Sequence, residues 1–350
     1  MNANETNDAG GRPVTLTTVQ WTDVPLPDLC RDAASWGYDG LALACHPRHF
    51  DAVRAAADPS YADEVRALLD AHGLRVHALA AHMIGQALCD PVDHRHRRLL
   101  PPEIWGDGDP EGVRKRAARV MTALPAAAAR LGADTVVGFT GSPVWHMFML
   151  FPPVEQDDID AGYREFASRL HPVLDAFDAA GVRFALEVHP TEVAYDYWTT
   201  ARTLDVLGHR PAFGLNLDPS HFLWQGLDPA VFAVDYRERI YHVDLKDAVR
   251  REDGRAGVLG SHLPWGNPRR GWDFVTPGHG QVDFESLLRA LNYIGYAGPL
   301  SVEWEDAGMD RGVAAPDALR YVRALTRVRP SAAAFDSAFD ASGKADEDGA

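Results

Sequence analysis

The sequence of 350 residues lacks any run of 18 consecutive apolar residues, the length that a bilayer-spanning helix needs. Its first residues, MNANETNDAGGRP, have neither the basic nor the apolar segment of a secretory signal, so we expect a cytoplasmic protein with no membrane partner. Cysteine is scarce, and Cys30, Cys45 and Cys89 are widely spaced and odd in number. This pattern indicates reduced, packed thiols and argues against a disulfide framework or a cysteine-based zinc cluster.

Positive charge is also in deficit, because 34 Lys and Arg residues stand against 50 Asp and Glu residues and give a formal net charge of -16. A surface of this sign repels phosphate backbones, so nucleic acid is not expected as a partner. Neither GxGxxG after the first apolar run nor GxxxxGK[ST] occurs, which removes the usual nucleotide-binding loops. The remaining composition, 46% hydrophobic and 24% charged, is typical of an ordinary globular protein with a sizeable core.

Eight short apolar runs, each bounded by Gly, Pro or Asp, alternate with longer stretches of helical periodicity. The runs are VTLTTVQW from residue 14, GLALAC from 40, RVHALAAH from 75, DTVVGFTG from 134, RFALEVH from 183, FGLNLD from 213, IYHVDLKD from 240 and PLSVEWED from 299. The helical stretches include LPDLCRDAASWG, YADEVRALLDAHG, EGVRKRAARVMTALPAAAARLG, residues 160–181 and FESLLRALNYIG. Eight strand–helix units with nearly continuous apolar strands predict an α/β protein whose parallel sheet closes as a (β/α)₈ TIM barrel. An open doubly wound sheet is the structural alternative.

The barrel is expected to form one domain over residues 13–328. The flanking segments, 1–12 and 329–350, are rich in Ala, Asp, Gly and Ser and have no periodic apolar face, so we expect two disordered tails, the second of them acidic. A long insertion follows the seventh strand, from Ala248 to Val282. Its length exceeds that of an ordinary connection, and its Gly, Pro and Trp content predicts a lid over the site.

Four consecutive strands, the fifth to the eighth, end on side chains that bind metals or transfer protons. They are Glu187 and His189 on the fifth, Asp218 and His221 on the sixth, His242, Asp244 and Lys246 on the seventh, and Glu303 and Glu305 on the eighth. In a (β/α)₈ barrel the carboxyl ends of the strands meet at one mouth, where the chemistry is found. One acid there would be read as a helix N-cap, but several carboxylates buried together need a counter-charge. The pattern therefore predicts a divalent-metal site, with Mn²⁺ expected first and Mg²⁺, Co²⁺ or Zn²⁺ as alternatives.

The segments ALEVHP, NLDPSHFLWQGLDP, YHVDLKD and GYAGPLSVEWED resemble the strand-end signatures of the sugar phosphate isomerase/epimerase family. These xylose isomerase-like barrels include ketose 3-epimerases, inosose dehydratase and endonuclease IV. The likeness extends over residues 13–327 and is strongest from residue 181. It implies that Glu187, Asp218, position 244 and Glu303 hold the metal. Where the family usually has histidine this chain has Asp244, with His242 two residues earlier, so the ligand of the seventh strand is left open between these two.

The resemblance implies that Glu187 and Glu303 act as the acid and base of an isomerase or epimerase, with His189 and His221 as further candidates. A metal chelated by a sugar's hydroxyl and carbonyl oxygens would acidify the neighbouring C–H bond and stabilise an enediolate. A lyase or dehydratase that expels a group β to the carbonyl of a keto-sugar or keto-glycoside is the alternative, because it begins with the same proton abstraction. Phosphodiester hydrolysis is disfavoured by the net charge and the carboxylate-rich site, and a non-catalytic sugar-binding barrel is the remaining alternative.

Four further residues are candidates for binding the substrate. His82 follows the third strand and Trp145 the fourth, so both are placed to line the mouth, while His242 lies on the seventh strand. Lys246 could orient a substrate oxygen or pair with a neighbouring acid. Because no Gly-rich anion loop is evident, we expect a small, unphosphorylated keto-sugar or polyol as the partner. The sequence leaves the oligomeric state open, and a homo-oligomer is compatible with it.

Overall fold

A computed structural model describes residues 11–251 and 253–330 of the protein. Within these residues eight parallel strands close a barrel, in the order β1, β10, β7, β6, β5, β4, β3, β2. Their bounds are β1 Val14–Thr17, β2 Gly40–Ala44, β3 Arg75–Ala80, β4 Thr135–Gly138, β5 Arg183–Glu187, β6 Phe213–Leu217, β7 Ile240–Leu245 and β10 Leu300–Val302. Strand β1 pairs in parallel with both β10 and β2, which closes the sheet. Each strand lies in one of the eight predicted apolar runs, so the (β/α)₈ TIM barrel is confirmed and the open sheet is not formed.

The helices cover the outside of the barrel. Their bounds are α1 Leu26–Trp36, α2 Ala52–Ala57, α3 Tyr61–Asp70, α4 His82–Gly85, α5 Pro102–Trp105, α6 Pro110–Leu131, α7 Gln156–Ala180, α8 Tyr197–Val206, α9 Pro219–Gln225, α10 Pro229–Asp235, α11 Phe284–Tyr293 and α12 Arg311–Leu325. The predicted helical stretches correspond to α1, α3, α6, α7 and α11. Helices α6 and α7 end at Gly132 and Gly181, whose φ angles of 83° and 65° suit glycine as a helix C-cap before the next strand.

The interior of the barrel is divided between small apolar and polar side chains. On β2 to β5 the inward positions form a cluster of Ala42, Ala78, Ala80, Val137 and Ala185. On the opposite wall, β1, β6, β7 and β10 contribute buried polar residues, which are Thr15, Thr17, Asn216, His242, Asp244 and Ser301. The alanine side chains are short, so they leave the space that the larger polar groups occupy.

The insertion after β7 folds back as an antiparallel pair, β8 Asp247–Arg250 and β9 Trp272–Val275. Asp247 anchors the end of the insertion where the chain returns to the barrel. The Asp247 carboxylate accepts hydrogen bonds from the backbone N–H groups of Ala248, Gly278, Gly280 and Val282 at 2.8, 3.0, 2.9 and 3.0 Å. A Cβ on Gly280 would lie 2.2 Å from the Asp247 carboxylate, so only glycine permits this approach. The predicted lid segment is therefore tied to the barrel at both ends, and its closure stays a prediction.

The predicted tails, 1–12 and 329–350, lie mostly outside the described residues. Arg12 is described, and its guanidinium donates to the carbonyl of Tyr296 and the side chain of Asn292, both at 2.7 Å. The three cysteines are buried free thiols. Among the described residues, no helix combines the length and the hydropathy that crossing a bilayer requires.

Replacing Asp247 by alanine should destabilise the fold, because four backbone N–H groups would lose the buried carboxylate that accepts their hydrogen bonds. We expect a loss of at least about 2 kcal/mol in the free energy of unfolding. Faster hydrogen exchange should appear at residues 278–282. Asp253→Ala is the matched control, because this exposed aspartate of the same insertion also accepts backbone hydrogen bonds, from Arg255 and Ala256. Equal melting temperatures for the two variants would contradict the anchoring role.

Candidate functional site

The carboxyl ends of β5, β6, β7 and β10 bring four ionisable side chains together. Glu187 is the last residue of β5, Asp218 follows β6, Lys246 follows β7 and Glu303 follows β10. All four are buried, with 2%, 0%, 3% and 6% of their surface exposed, respectively. The mouth of the barrel therefore carries a charged group with very little access to water.

Glu187, Asp218 and His221 each offer one atom that could bind a metal, and these three atoms converge. We call these three residues the donor group. Donor atoms of Glu187, Asp218 and His221 all lie within 4.8 Å of one another. The Nε2 atom of His221 is 3.1 Å from Glu187 Oε1 and 3.3 Å from Asp218 Oδ2. These three atoms are buried, and no described residue meets them with hydrogen-bond geometry. Two carboxylate oxygens and an imidazole nitrogen at these distances form a donor set that suits a metal cation, so this group fits a divalent ion.

The turn after β6 explains why a buried strand ends on an acid and an imidazole. Asp218 caps α9, because its Oδ1 accepts from the backbone N–H and the hydroxyl of Ser220 at 2.8 and 2.7 Å. The cap uses one carboxylate oxygen and leaves Oδ2 facing the site. One helical turn then places His221, three residues later, beside that oxygen.

Lys246 is the cation that lies among the carboxylates at the mouth of the barrel. Its Nζ lies 2.9 Å from Asp218 Oδ2 and 3.0 Å from Glu303 Oε2, and the carboxylates of Glu187 and Glu305 are 3.9 and 4.0 Å away. Burial lowers the pKa of Lys246, but these carboxylates, Asp218 first, outweigh burial and hold the pKa well above its usual value. Lys246 is therefore an ammonium ion that pairs with these acids.

One lysine cannot neutralise four carboxylates. Burial raises the pKa of Glu187, but Lys246 and the histidines His221 and His82 outweigh that effect and bring the pKa well below its usual value. Burial raises the pKa of Glu303 well above its usual value, and Lys246 offsets only part of the rise. The excess negative charge is the electrostatic reason why this site fits a further, divalent cation.

Asp244 and His242 are not brought into this group. Asp244 lies one side-chain layer deeper in the barrel, where its carboxylate accepts from Asn216 Nδ2 at 2.6 Å and from Thr17 Oγ1 at 3.2 Å. His242 Nε2 lies 2.8 Å from Ser301 Oγ in the same polar layer. The converging donor atoms among the described residues belong to Glu187, Asp218 and His221. The choice between Asp244 and His242 as the metal ligand of the seventh strand therefore stays a prediction.

His82 and His189 lie beside the donor group. His82 Nε2 is 3.0 Å from Glu187 Oε2. The ring of His189 is 4.2 Å from that of His221 and 4.8 Å from Phe139, measured between centroids. Burial lowers the pKa of His189 well below its usual value, and the nearby His221 lowers it further, so its imidazole is neutral. Both histidines are thus placed at the mouth, as expected.

Trp145 lines a separate cavity of about 520 Å³ with His96, Asp90 and Thr191. Its ring stacks on Phe148 at 4.6 Å between centroids and meets Tyr195 edge-on. The carboxylates of the donor group do not line this cavity. Trp145 therefore flanks the site on the side of β3 to β5 and does not contact its acids.

Two polar residues beside the site were missed by the sequence reasoning. Gln20, in the loop after β1, donates from Nε2 to Glu303 Oε1 at 2.6 Å and to Glu305 Oε1 at 3.0 Å. Glu192 is fully buried, and burial raises its pKa to about 8 although Thr140 donates to it. Gln20 stands at the end of the first apolar run, so its position after a strand was the available signal.

A (β/α)₈ barrel with a buried acidic and imidazole group at its C-terminal mouth defines a class of barrel able to hold a divalent metal there. Residues 30–325 match the family model of the xylose isomerase-like TIM barrel, and the chain belongs to this family. The resemblance of the strand-end segments is thereby confirmed.

Curated relatives match over part of their length. The uncharacterized protein YfiH of Bacillus subtilis (strain 168) is 32% identical over 198 residues, which are 54% of this chain and 59% of YfiH. An inosose dehydratase of Clostridium botulinum (strain Eklund 17B / Type B) is 33% identical over 91 residues, 26% of this chain and 30% of that enzyme. The chain thus spans less than two thirds of either relative.

Solved structures match over nearly the whole barrel. The 3-keto-D-glucoside 4-epimerase YcjR from E. coli, in its apo form, has a TM-score of 0.62 and 16% identity, and the match covers 89% of this chain and 99% of YcjR. The IolI protein with a bound zinc atom has a TM-score of 0.60 and 18% identity, with 90% and 96% coverage. At these identities the likeness shows a shared fold.

Replacing Lys246 by methionine should destabilise the protein in the presence of a chelator, because four carboxylates would lose their shared cation. A loss of about 3 kcal/mol is expected for a broken buried pair. A divalent cation should compensate, so adding Mn²⁺ should raise the melting temperature more in Lys246→Met than in the unchanged protein. The exposed Lys115→Met serves as the control. If chelation and Mn²⁺ affected the Lys246 variant and the unchanged protein equally, the charge argument would be wrong.

Proposed function

We propose that the protein is a divalent-metal-dependent isomerase or epimerase of a small, unphosphorylated keto-sugar or polyol. The observation that carries the proposal is the placement of two buried carboxylates, Glu187 of the donor group and Glu303, at 3.9 and 3.0 Å from Lys246 Nζ. Two proton-transferring groups at one reacting carbon are what removal and return of a proton next to a carbonyl require. The names of the relatives, an epimerase and a dehydratase, support an enzyme that modifies sugars.

Glu187, Asp218, His221 and Glu303 would hold the metal. When bound, a divalent cation supplies Lewis-acid polarisation of a carbonyl oxygen. Three carboxylates and one imidazole form an oxygen-dominated set, which favours Mn²⁺, with Mg²⁺, Co²⁺ or Zn²⁺ as alternatives. The zinc atom in IolI supports a divalent ion and leaves its identity to measurement.

The other steps of the proposed reaction are carried out by side chains of this protein. Glu187 removes the proton next to the carbonyl, and His82, at 3.0 Å, holds its carboxylate in place. Glu303 returns a proton to the same carbon. Lys246 donates a hydrogen bond to the oxygen on which negative charge develops, which lowers the energy of that charge in a site with little water. His189 is a neutral imidazole at the edge of the site and would orient a substrate hydroxyl.

A lyase or dehydratase acting on a keto-sugar or keto-glycoside is the second candidate, and the 33% identity to an inosose dehydratase favours it specifically. Removal of the proton by Glu187 is common to both reactions. They differ in the next step, because an epimerase returns a proton and a dehydratase protonates a departing hydroxyl. A cytoplasmic location and a small sugar as the partner complete the proposal, and a homo-oligomer is compatible with it.

Proton NMR in D₂O, with the metal-loaded protein and a panel of ketoses, inososes and 3-keto-glycosides, tests this proposal. Deuterium should appear at one carbon next to the carbonyl of one substrate. Retention of all substituents would identify an epimerase or isomerase, and loss of a hydroxyl or aglycone would identify a lyase. Deuterium incorporation at the same rate in metal-free protein would refute the metal-dependent mechanism.

Glu187→Gln and Glu303→Gln should each lower kcat by about 10²-fold or more, because each removes one proton-transferring group while preserving the shape of the side chain. The exposed Glu103→Gln is the matched control and should turn over normally. Metal content must be measured for each variant, because both residues are also proposed ligands. Normal turnover by both variants would show that the acid and base lie elsewhere.

His221→Ala should weaken metal binding by about tenfold or more, because it removes one donor of the group. Asp244→Asn should leave the affinity within about threefold, because this carboxylate hydrogen-bonds inside the barrel below the donors. Calorimetric titration with Mn²⁺ and Zn²⁺ measures both affinities. Loss of metal binding in the Asp244 variant alone would show that a residue of β7 is a metal ligand.

A further inference from the structure

A second cavity, of about 330 Å³, opens beside Glu303 on the side of β1 and β10. We call it the aromatic pocket and define it by six of its lining residues, Gln20, Trp265, Phe274, Trp304, Glu305 and Asp306. Its volume is at the lower end of the range of about 300–1,000 Å³ that is usual for small-molecule sites. The mechanism proposed above uses none of these side chains.

The aromatic pocket adjoins the metal-donor group through Gln20 and Phe274. The amide nitrogen of Gln20 donates to Glu303 at 2.6 Å and to Glu305 at 3.0 Å, so Gln20 stands between the two spaces. The ring of Phe274 is 4.7 Å from Lys246 Nζ and 5.4 Å from the ring of His221. A molecule that reacts beside Glu303 and is larger than one ring can therefore extend into this pocket.

Trp265 forms a held, open face of the pocket. The residue is 52% exposed, yet the guanidinium of Arg270 lies 4.0 Å from its ring centroid. Arg270 is itself buried and donates to the carbonyls of Leu263 and Trp272 at 2.6 and 3.3 Å. Phe274 and Trp272 pack against the same indole at 4.9 and 5.2 Å between centroids. An indole that is fixed before binding and is about half exposed suits contact with the C–H groups of a sugar ring.

The polar atoms of the pocket select a neutral ring with hydroxyl groups. Glu305 and Asp306 are carboxylates, so an anionic ring would be repelled. Asp306 is already engaged by Thr276, whose N–H and hydroxyl donate to it at 2.8 Å. Among the described residues, no hydrogen bond reaches the buried Oε1 of Gln20, and Oε2 of Glu305 is 4.0 Å from Lys246. Both atoms can accept hydrogen bonds from sugar hydroxyls.

We propose that the aromatic pocket binds a second, uncharged sugar ring, so that the substrate is a glycoside of two rings. The first ring lies at the donor group, where the proposed function places the reacting sugar. In this respect the inference rests on the proposed function. The second ring packs its C–H face on Trp265 and donates hydroxyl hydrogen bonds to Glu305 and Gln20. The substrate class is then a keto-derivative of a neutral disaccharide.

Calorimetric titration of the metal-loaded protein with glucose, cellobiose and maltose tests the pocket without catalysis. At least one disaccharide should bind tenfold or more tightly than glucose. In Trp265→Ala this ratio should fall below threefold, because the aromatic face is lost. Trp198→Ala removes a tryptophan that is 76% exposed and does not line the pocket, so it should preserve the ratio. Equal affinity for glucose and both disaccharides, or an unchanged ratio in Trp265→Ala, would overturn the inference.

The outcome is separable from that of the proposed function. Deuterium incorporation into a keto-sugar decides the chemistry, whereas the affinity ratio of disaccharide to glucose decides the pocket. A protein that incorporates deuterium but does not prefer a disaccharide would refute the pocket alone. A protein that prefers a disaccharide, with the preference lost in Trp265→Ala, but incorporates no deuterium would keep the pocket and refute the proposed chemistry.

Discussion

Buried like charges are the constraint on which the mouth of this barrel depends. Glu187, Asp218, Glu303 and Glu305 surround the ammonium of Lys246, and the distances of 2.9–4.0 Å leave little room for water between them. Without a cation these carboxylates would have to bind protons, because the cost of burying an unpaired charge is too large. Lys246 satisfies part of this requirement, and the donor atoms that lack hydrogen bonds indicate how a divalent ion would satisfy more of it.

The polar layer beneath the mouth supports this arrangement. Asp244 is held by Asn216 and Thr17, and His242 lies against Ser301, so the wall of β6, β7 and β10 is polar for two layers. The small side chains of β2 to β5 make room for these groups. These buried hydrogen bonds restrain the polar layer, so it can help to fix the height at which Asp218 and Lys246 meet.

The insertion after β7 links the fold to substrate choice. Asp247 ties the return of this segment to the barrel, and the paired strands β8 and β9 place Trp272 and Phe274 over the sixth and seventh strands. Phe274 contacts both Lys246 and His221, so the same segment that covers the charged group also forms one wall of the aromatic pocket. Aromatic side chains that are held on an anchored segment beside a charged group allow substrates to be distinguished by shape and by charge.

The sequence by itself determined the barrel, because eight apolar runs separated by amphipathic helices have one simple closed arrangement in a parallel sheet. It also located Glu187, Asp218, His221 and Glu303 at strand ends, since strands that run in parallel end at one mouth. Only the tertiary structure decided at which depth in the barrel each polar side chain lies. Asp244 and Lys246 share one face of β7, but barrel stagger places the first among hydrogen-bond partners and the second among acids. Gln20 and Trp265 meet the site through loops, whose paths depend on long-range packing that a strand pattern does not contain.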